Sequence, residues 1–520
     1  MAEGNGSTLE MEELDASKAF PTFIVATVVL VVLTFILNRV FGAKKLNMPP
    51  GPKGLPIVGT LFRTRGPKTH VILSEMSKEW GPIFSLKTGW KYFIVVTSPE
   101  LTHEALIKDV QTFSSRPKLL SRLNFTGWRS VNSALYGPYW RGIRKNLVTH
   151  ALSTSKVASF LPFREEELET LITRVKDEAA RNDDVVTVLS HCRHTVFSIL
   201  LHVCFGERFA DSTVEELDRI LKALLVILAP QVIDFLPFLQ PFSKHKPMCQ
   251  GLLGRMRNLF APLIEEHKQL RAKGQPKGDY VDSLIVLQKE MNLADNDVLG
   301  LIGEVLTGGT DTTANTLEWT MANLIKYPQI QDKLFQEIKR VCGTSPVSEH
   351  DVDKMPYLQA VIKEALRKHP ALPFGITHGL SMQGKLGGYD IPEEAFVLFH
   401  IQAMQNNPAI WDHPEVFDPE RFLNNNVNYD MTASHGVESL KFMPFGAGRR
   451  ICPGMSLGLK HAHLILSRLI QNFEFTTPNP GEEVDFSEKL EFTVVMATPL
   501  KARITPRRDD GDRDKPRIAL

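Results

Sequence analysis

The chain has 520 residues, 43% apolar and 23% charged, and its 60 Lys and Arg against 59 Asp and Glu leave a net charge of +1. That balance argues against a nucleic-acid partner and leaves electrostatics to act locally. Neither an internal repeat nor a low-complexity linker divides the chain, so one large unit is expected. Its five cysteines, Cys192, Cys204, Cys249, Cys342 and Cys452, are odd in number and follow no framework spacing. The bulk of the chain therefore belongs in a reducing compartment.

From Phe20 to Leu37 runs an almost unbroken apolar segment, long enough at about 1.5 Å per residue to cross most of a bilayer. Acidic Glu10, Glu12, Glu13 and Asp15 precede it with only Lys18, whereas Arg39, Lys44 and Lys45 follow. The positive-inside rule then leaves the rest of the chain on the cytosolic side. A cleaved signal peptide is the alternative, but there is no basic region first and no small-residue cleavage site after. Pro49-Pro50-Gly51-Pro52 and Gly54-Leu55-Pro56 form a stiff, extended connector, because prolines fix their own backbone and push the preceding residue out of the helical region. Alternating stretches near Ile83–Leu86 and Tyr92–Val96 predict short strands.

After Gly137-Pro138 the pattern predicts a helix that places Trp140 and Arg144 on one face. Between Ser155 and Lys289 amphipathic helices predominate, and His191 and His194 near Cys192 lack the accompanying ligands that a metal site needs. A long helical pattern starts at about Asp295, an N-cap residue type, and ends at Tyr327 before Pro328. In its middle stands Thr307-Gly308-Gly309-Thr310-Asp311-Thr312-Thr313. Two interior glycines cost about 1 kcal/mol each relative to alanine, and threonine and aspartate compete for backbone hydrogen bonds. So costly a sequence predicts a functional kink with an acid beside an alcohol. A mere packing crossing would explain the glycines but not that pair.

A further helix is expected from near Pro356 to His369. Its Glu364 and Arg367 are spaced i, i+3, which unaided means only a helix salt bridge. Asn424–Gly436 reads as a mobile surface loop and Arg507–Leu520 as a charged, disordered tail. Between them lies Phe445-Gly446-Ala447-Gly448-Arg449-Arg450-Ile451-Cys452-Pro453-Gly454. Its glycines free the backbone to wrap closely round something, and Arg449 and Arg450 favour a thiolate at Cys452. A buried structural cysteine is the bland alternative; zinc is a poor one, because no C-x-x-C pair stands nearby.

Phe445, Gly448, Arg450, Cys452 and Gly454 match Phe-x-x-Gly-x-Arg-x-Cys-x-Gly, and in this the chain resembles the cytochrome P-450 family of haem-thiolate monooxygenases. The resemblance extends from the anchor to about Pro506. It implies a mainly α fold, a helical body with a smaller β-rich region and an N-terminal transmembrane helix. The implied organisation is a lumenal segment 1–19, an anchor 20–40, a proline-rich linker 41–56 of the kind found in microsomal members, a catalytic domain 57–506 and a tail 507–520. Haem b would lie between the Asp295–Tyr327 helix and the cysteine loop, with Cys452 as its metal ligand donating electron density to the iron. Trp140, Arg144, His378 and Arg450 would position the haem, and Asp311 and Thr312 would deliver protons. Pro419-Glu420-Arg421-Phe422 stands where the family places the arginine that joins Glu364 and Arg367 in a structural network.

No G-x-G-x-x-G fingerprint accompanies a flavin or nicotinamide domain, so NADPH would act indirectly. A membrane-bound NADPH-cytochrome P-450 reductase is the implied partner, docking near Arg141, Lys145, Lys441 and Arg449. The stretches Lys489–Met496, Arg367–Pro370 and Tyr136–Arg141 are most similar to plant microsomal enzymes of the in-chain fatty-acid hydroxylase and epoxidase branch. An apolar channel lined by Val305, Leu306, Leu372, Phe374, Val494 and Val495 would admit an acyl chain. Ala371 replaces the second proline expected after His369-Pro370, which leaves a terpenoid or phenolic substrate open. A haem-thiolate isomerase or dehydratase and a haem sensor are the alternatives of other classes, and the Asp311-Thr312 pair speaks against both.

Overall fold

The structure is a computed structural model that describes residues 46–423 and 436–507, with Thr27, Leu30, Thr34 and Met431. The expected lumenal segment, all but three residues of the expected anchor, most of the Asn424–Gly436 loop and the tail after Arg507 lie outside the described residues. The chain divides into two units, Met1–Met48 and Pro49–Leu520, and every element named below belongs to the second.

The organising element is the helix Asp295–Lys326, of 32 residues, most of them buried. It starts one residue earlier than a cap at Asp295 requires: Ala294 is the cap, and its N–H donates to Asp297 Oδ2 at 2.9 Å. Along it packs Val188–Phe205, a helix apolar enough by composition to cross a membrane but 72% buried inside the body. A helix hydrophobic all round is a core helix when neighbours cover it. Met455–Asn472 and Pro356–Lys368 close the other sides.

The smaller β region begins with Ile83–Thr88 antiparallel to Lys91–Val96. Lys91–Val96 then runs parallel to Phe396–Phe399, which pairs with His378–Gly379. From Pro49 on, the proline-rich stretch lies along the edge of this sheet: Ser85 donates its N–H to Pro50 O and its Oγ to Pro49 O, both at 2.7 Å. A Cβ at Gly51 would stand 1.9 Å from Ser85 O, so only glycine permits that approach. A second sheet of Val185–Thr187, Lys501–Pro506 and Phe473–Thr476 gathers the chain's C-terminal strands.

Candidate active site

The cysteine loop folds as a turn closed on itself. Cys452 N–H donates to Phe445 O at 2.9 Å, and Gly448–Arg450 form a single 3-10 turn. Gly448 has φ +67°, and a Cβ there would lie 2.4 Å from Leu106 O, so a side chain is excluded by both backbone angle and space. Burial pushes the Cys452 thiol up, while the Gly454 and Met455 N–H groups and the Arg144 charge pull it back. Cys452 is the one cysteine lining the large internal cavity.

Arginines crowd the same wall. Arg144, from the helix Pro138–His150, donates Nη2 to Ile451 O at 2.5 Å and so ties that helix to the cysteine loop. Arg450 donates to Ser114 O, Val131 O and Ala134 O at 2.8, 3.1 and 2.6 Å, and burial lowers it to about 9. Arg116, which carries no periodic sequence signal, donates to Asn132 O, Ile376 O and Thr377 O at 3.0, 2.8 and 3.1 Å. Burial and the neighbouring Arg450 hold it well below the usual guanidinium range. His378 donates Nδ1–H to Phe113 O at 2.8 Å, and burial together with Arg116 keeps the ring neutral. Trp140 stands one layer back: its indole N–H donates to Val131 O at 3.0 Å, and Arg450 lies 4.3 Å over its ring.

Opposite the loop, the long helix passes through Thr307–Thr313 as continuous α-helix. Thr312 Oγ1 donates to Gly308 O at 2.8 Å and Thr316 Oγ1 to Thr312 O at 2.9 Å, whereas the buried Thr310 hydroxyl has no partner. The two glycines serve different neighbours. A Cβ at Gly308, on the cavity wall, meets nothing within 4 Å, whereas one at Gly309 would lie 2.7 Å from Leu200 Cδ1. Thr312 borders the cavity but Asp311 does not. Asp311 faces the other way, accepting from Arg193 Nη1 at 2.6 Å and Thr493 Oγ1 at 2.7 Å. Successive residues on a helix point about 100° apart, and at the edge of the wall that step turns Asp311 away from the cavity.

The same geometry corrects the expected substrate wall. Val305, Leu372 and Phe374 line the cavity; Leu306, Val494 and Val495 do not. Leu306 turns into the core, and Val494 and Val495 belong to a small ladder with Leu490 and Lys489. Phe492, in the turn between those two strands, reaches the cavity instead, as do Phe125, Leu224 and Leu225. Also on the wall are Arg122 and Glu304, neither singled out by a motif.

Glu364 and Arg367 are both fully buried and paired twice, at 2.8 Å each. Arg421 Nε reaches Glu364 Oε1 at 3.2 Å, and Arg367 also donates to Gln405 O and Pro414 O. His191 pairs with Glu178, and His194 lies 3.2 Å from Asp211. Carboxylates from neighbouring helices thus accompany both histidines, which the sequence spacing did not show, yet among the described residues no three such groups come together as a metal site.

The profile of Cytochrome P450 matches residues 49–505. The chain belongs to the cytochrome P450 family. It is 33% identical over 504 residues to Cytochrome P450 89A9 of Arabidopsis thaliana, covering 92% of this chain and 97% of that one. It is 31% identical over 491 residues to isoflavone 2'-hydroxylase of Glycyrrhiza echinata, covering 91% and 95%. The fold is similar to that of a zebrafish cytochrome P450 solved with progesterone, at TM-score 0.71 and 25% identity over 84% of this chain. This P450 is accordingly a monooxygenase, and its cofactor is haem b. The cavity suits that group: a sulfur met by backbone N–H groups, guanidinium groups for two carboxylates, and an open face at Gly308.

Proposed function

We propose that this P450 inserts one oxygen atom of dioxygen within the chain of a free long-chain fatty acid, by hydroxylation or epoxidation. The supporting observation is the cavity wall, where Phe125, Leu224, Leu225, Val305, Leu372 and Phe492 offer apolar surface beside Thr312. Haem b, when bound, activates dioxygen with electrons drawn from NADPH through a reductase. Cys452 would hold the iron, Arg144, Arg450 and His378 would orient the carboxylates of the haem, and Trp140 would brace Arg450. The Thr312 hydroxyl lies on the wall and is the group that hands a proton inward. Asp311, which accepts from Arg193 and Thr493 on the outer side of the helix, would relay protons from solvent toward it.

The sequence places an anchor at 20–40, and we assign the enzyme to the endoplasmic reticulum membrane as a single-pass protein with residues 57–506 as its cytosolic catalytic domain. The partner is NADPH-cytochrome P450 reductase. Arg141, Lys145 and Arg449 are exposed for it, while Lys441 is engaged by Glu438 at 2.6 Å. A phenolic or terpenoid substrate is the second reading, favoured by the isoflavone hydroxylase among the relatives. Microsomes carrying the protein should turn over fatty acids with NADPH in a panel of lipids and small apolar compounds. Intact haem and a working reductase without hydroxylated or epoxidised fatty acid would rule the first reading out, and oxidised phenolics would install the second.

A further inference from the structure

Four guanidinium groups line the cavity, those of Arg116, Arg122, Arg144 and Arg450, against one carboxylate, that of Glu304. Haem b brings two carboxylates, and its ferric iron is balanced by the porphyrin and the cysteine thiolate. On the wall itself three negative charges then face four positive ones, and the next nearest carboxylate, the buried Asp234, stands behind Arg122. A buried donor without an acceptor is costly, so a ligand that brings an anionic acceptor to this wall is a natural complement.

The side chains single out which arginine is left. Arg116 and Arg450 each make three hydrogen bonds to carbonyls, and Arg144 is tied to Ile451 O. Arg122 donates Nη1 to the Asn132 side chain at 3.0 Å, and its buried Nε has no partner. Glu304, whose two oxygens accept the N–H groups of Val131 and Asn132 at 2.7 and 2.6 Å, attracts Arg122 through space but makes no hydrogen bond to its Nε. Asp234 approaches Arg122 from outside the cavity wall, with its oxygens accepting from Ser121 N–H and Gln231 N–H.

We propose that Arg122 binds a carboxylate at one end of the substrate and so sets which carbon of the chain is oxidised. This rests on the acyl-chain reading of the cavity. Asn132 joins Arg122 to Glu304, and Glu304 stands eight residues before Thr312 on the long helix. At 1.5 Å per residue the anchored end lies about 12 Å along the helix from the hydroxyl that borders the chemistry. Oxidation would fall inside the chain, well away from the carboxyl.

The test is a spectral titration of the haem-loaded enzyme with palmitic acid, methyl palmitate and cinnamic acid. A charge-assisted hydrogen bond predicts that the acid binds on the order of tenfold tighter than its ester. Arg122→Gln should abolish that preference while keeping the carbon-monoxide spectrum, and should scatter the positions of oxidation. Equal affinity for acid and ester in the wild type, or a preference that survives in Arg122→Gln, overturns the subsite and leaves the acyl-chain reading intact. Cinnamic acid bound through Arg122, with both palmitoyl compounds unbound, keeps the subsite and removes the acyl-chain reading. Should Arg122→Gln fail to load haem, Arg122→Lys decides: a weakened acid preference sustains the subsite, and an unchanged one overturns it.

Discussion

Cys452 differs from the other cysteines in what its sulfur faces. Burial alone pushes Cys249 up to about 11 and, with Glu318 nearby, Cys192 up to about 12, as inert interior thiols. Cys452 instead faces the cavity with two N–H groups and Arg144 opposing its burial. Cys452→Ser should therefore lose the strongly red-shifted Soret band of the reduced, carbon-monoxide-bound enzyme, and retention of that band would remove Cys452 as ligand. Thr312→Ala should keep haem and substrate binding but release reducing equivalents as peroxide, with a loss of about 10²-fold or more in coupled product. Unchanged coupling of NADPH use to product would exclude the hydroxyl. Both residues were legible in the sequence because a short motif surrounds each. Arg116 and Arg122 were not: a single arginine in a loop or a seven-residue helix carries no period, and only the fold turns it inward.

Helical phase accounts for the errors at the scale of elements. The ends of the Asp295–Lys326 and Pro356–Lys368 helices could be read to within a residue from Pro328, Pro356 and Pro370. Which face met the cavity could not, so Val305 was placed correctly and its neighbour Leu306 was not. The adjacent glycines give a test of phase. Gly308→Ala should raise the stability of the haem-free fold by about 1 kcal/mol through helix propensity alone. Gly309→Ala gains the same but must displace Leu200, an overpacking cost of about 1–3 kcal/mol, so it should finish neutral or less stable. Denaturant midpoints in the opposite order would contradict this division of roles. Behind the helix, removing the carboxylate in Glu364→Ala leaves Arg367 buried without a counter-charge and should cost about 3–5 kcal/mol. Arg421→Ala, at the solvent-facing end of the same cluster, should cost less, and an equal loss by equilibrium unfolding would refute the ranking.

At the scale of the molecule, the long helix is tied to the C-terminal sheet by one buried acid. Glu318 Oε1 accepts the N–H of Leu500 at 2.8 Å, immediately before the strand Lys501–Pro506. Burial raises this carboxyl from 4.5 to about 7, against the pull of that single N–H. The folded chain therefore holds the proton more tightly than the unfolded one. Its contribution is fully present below pH 4.5, is lost as the pH rises toward 7, and stays lost above. An acid displaced this far is destabilised in its ionised form by on the order of 3 kcal/mol. Glu318→Gln keeps an acceptor for Leu500 and removes the charge. Unfolding of the haem-loaded enzyme across pH 5 to 8 should show wild type and variant converging at the acid end. At the alkaline end the variant should be more stable by about 1–3 kcal/mol. Two parallel stability curves would mean that the acid is relieved by water or by movement of Leu500, and that the sheet is not held to the helix through this bond.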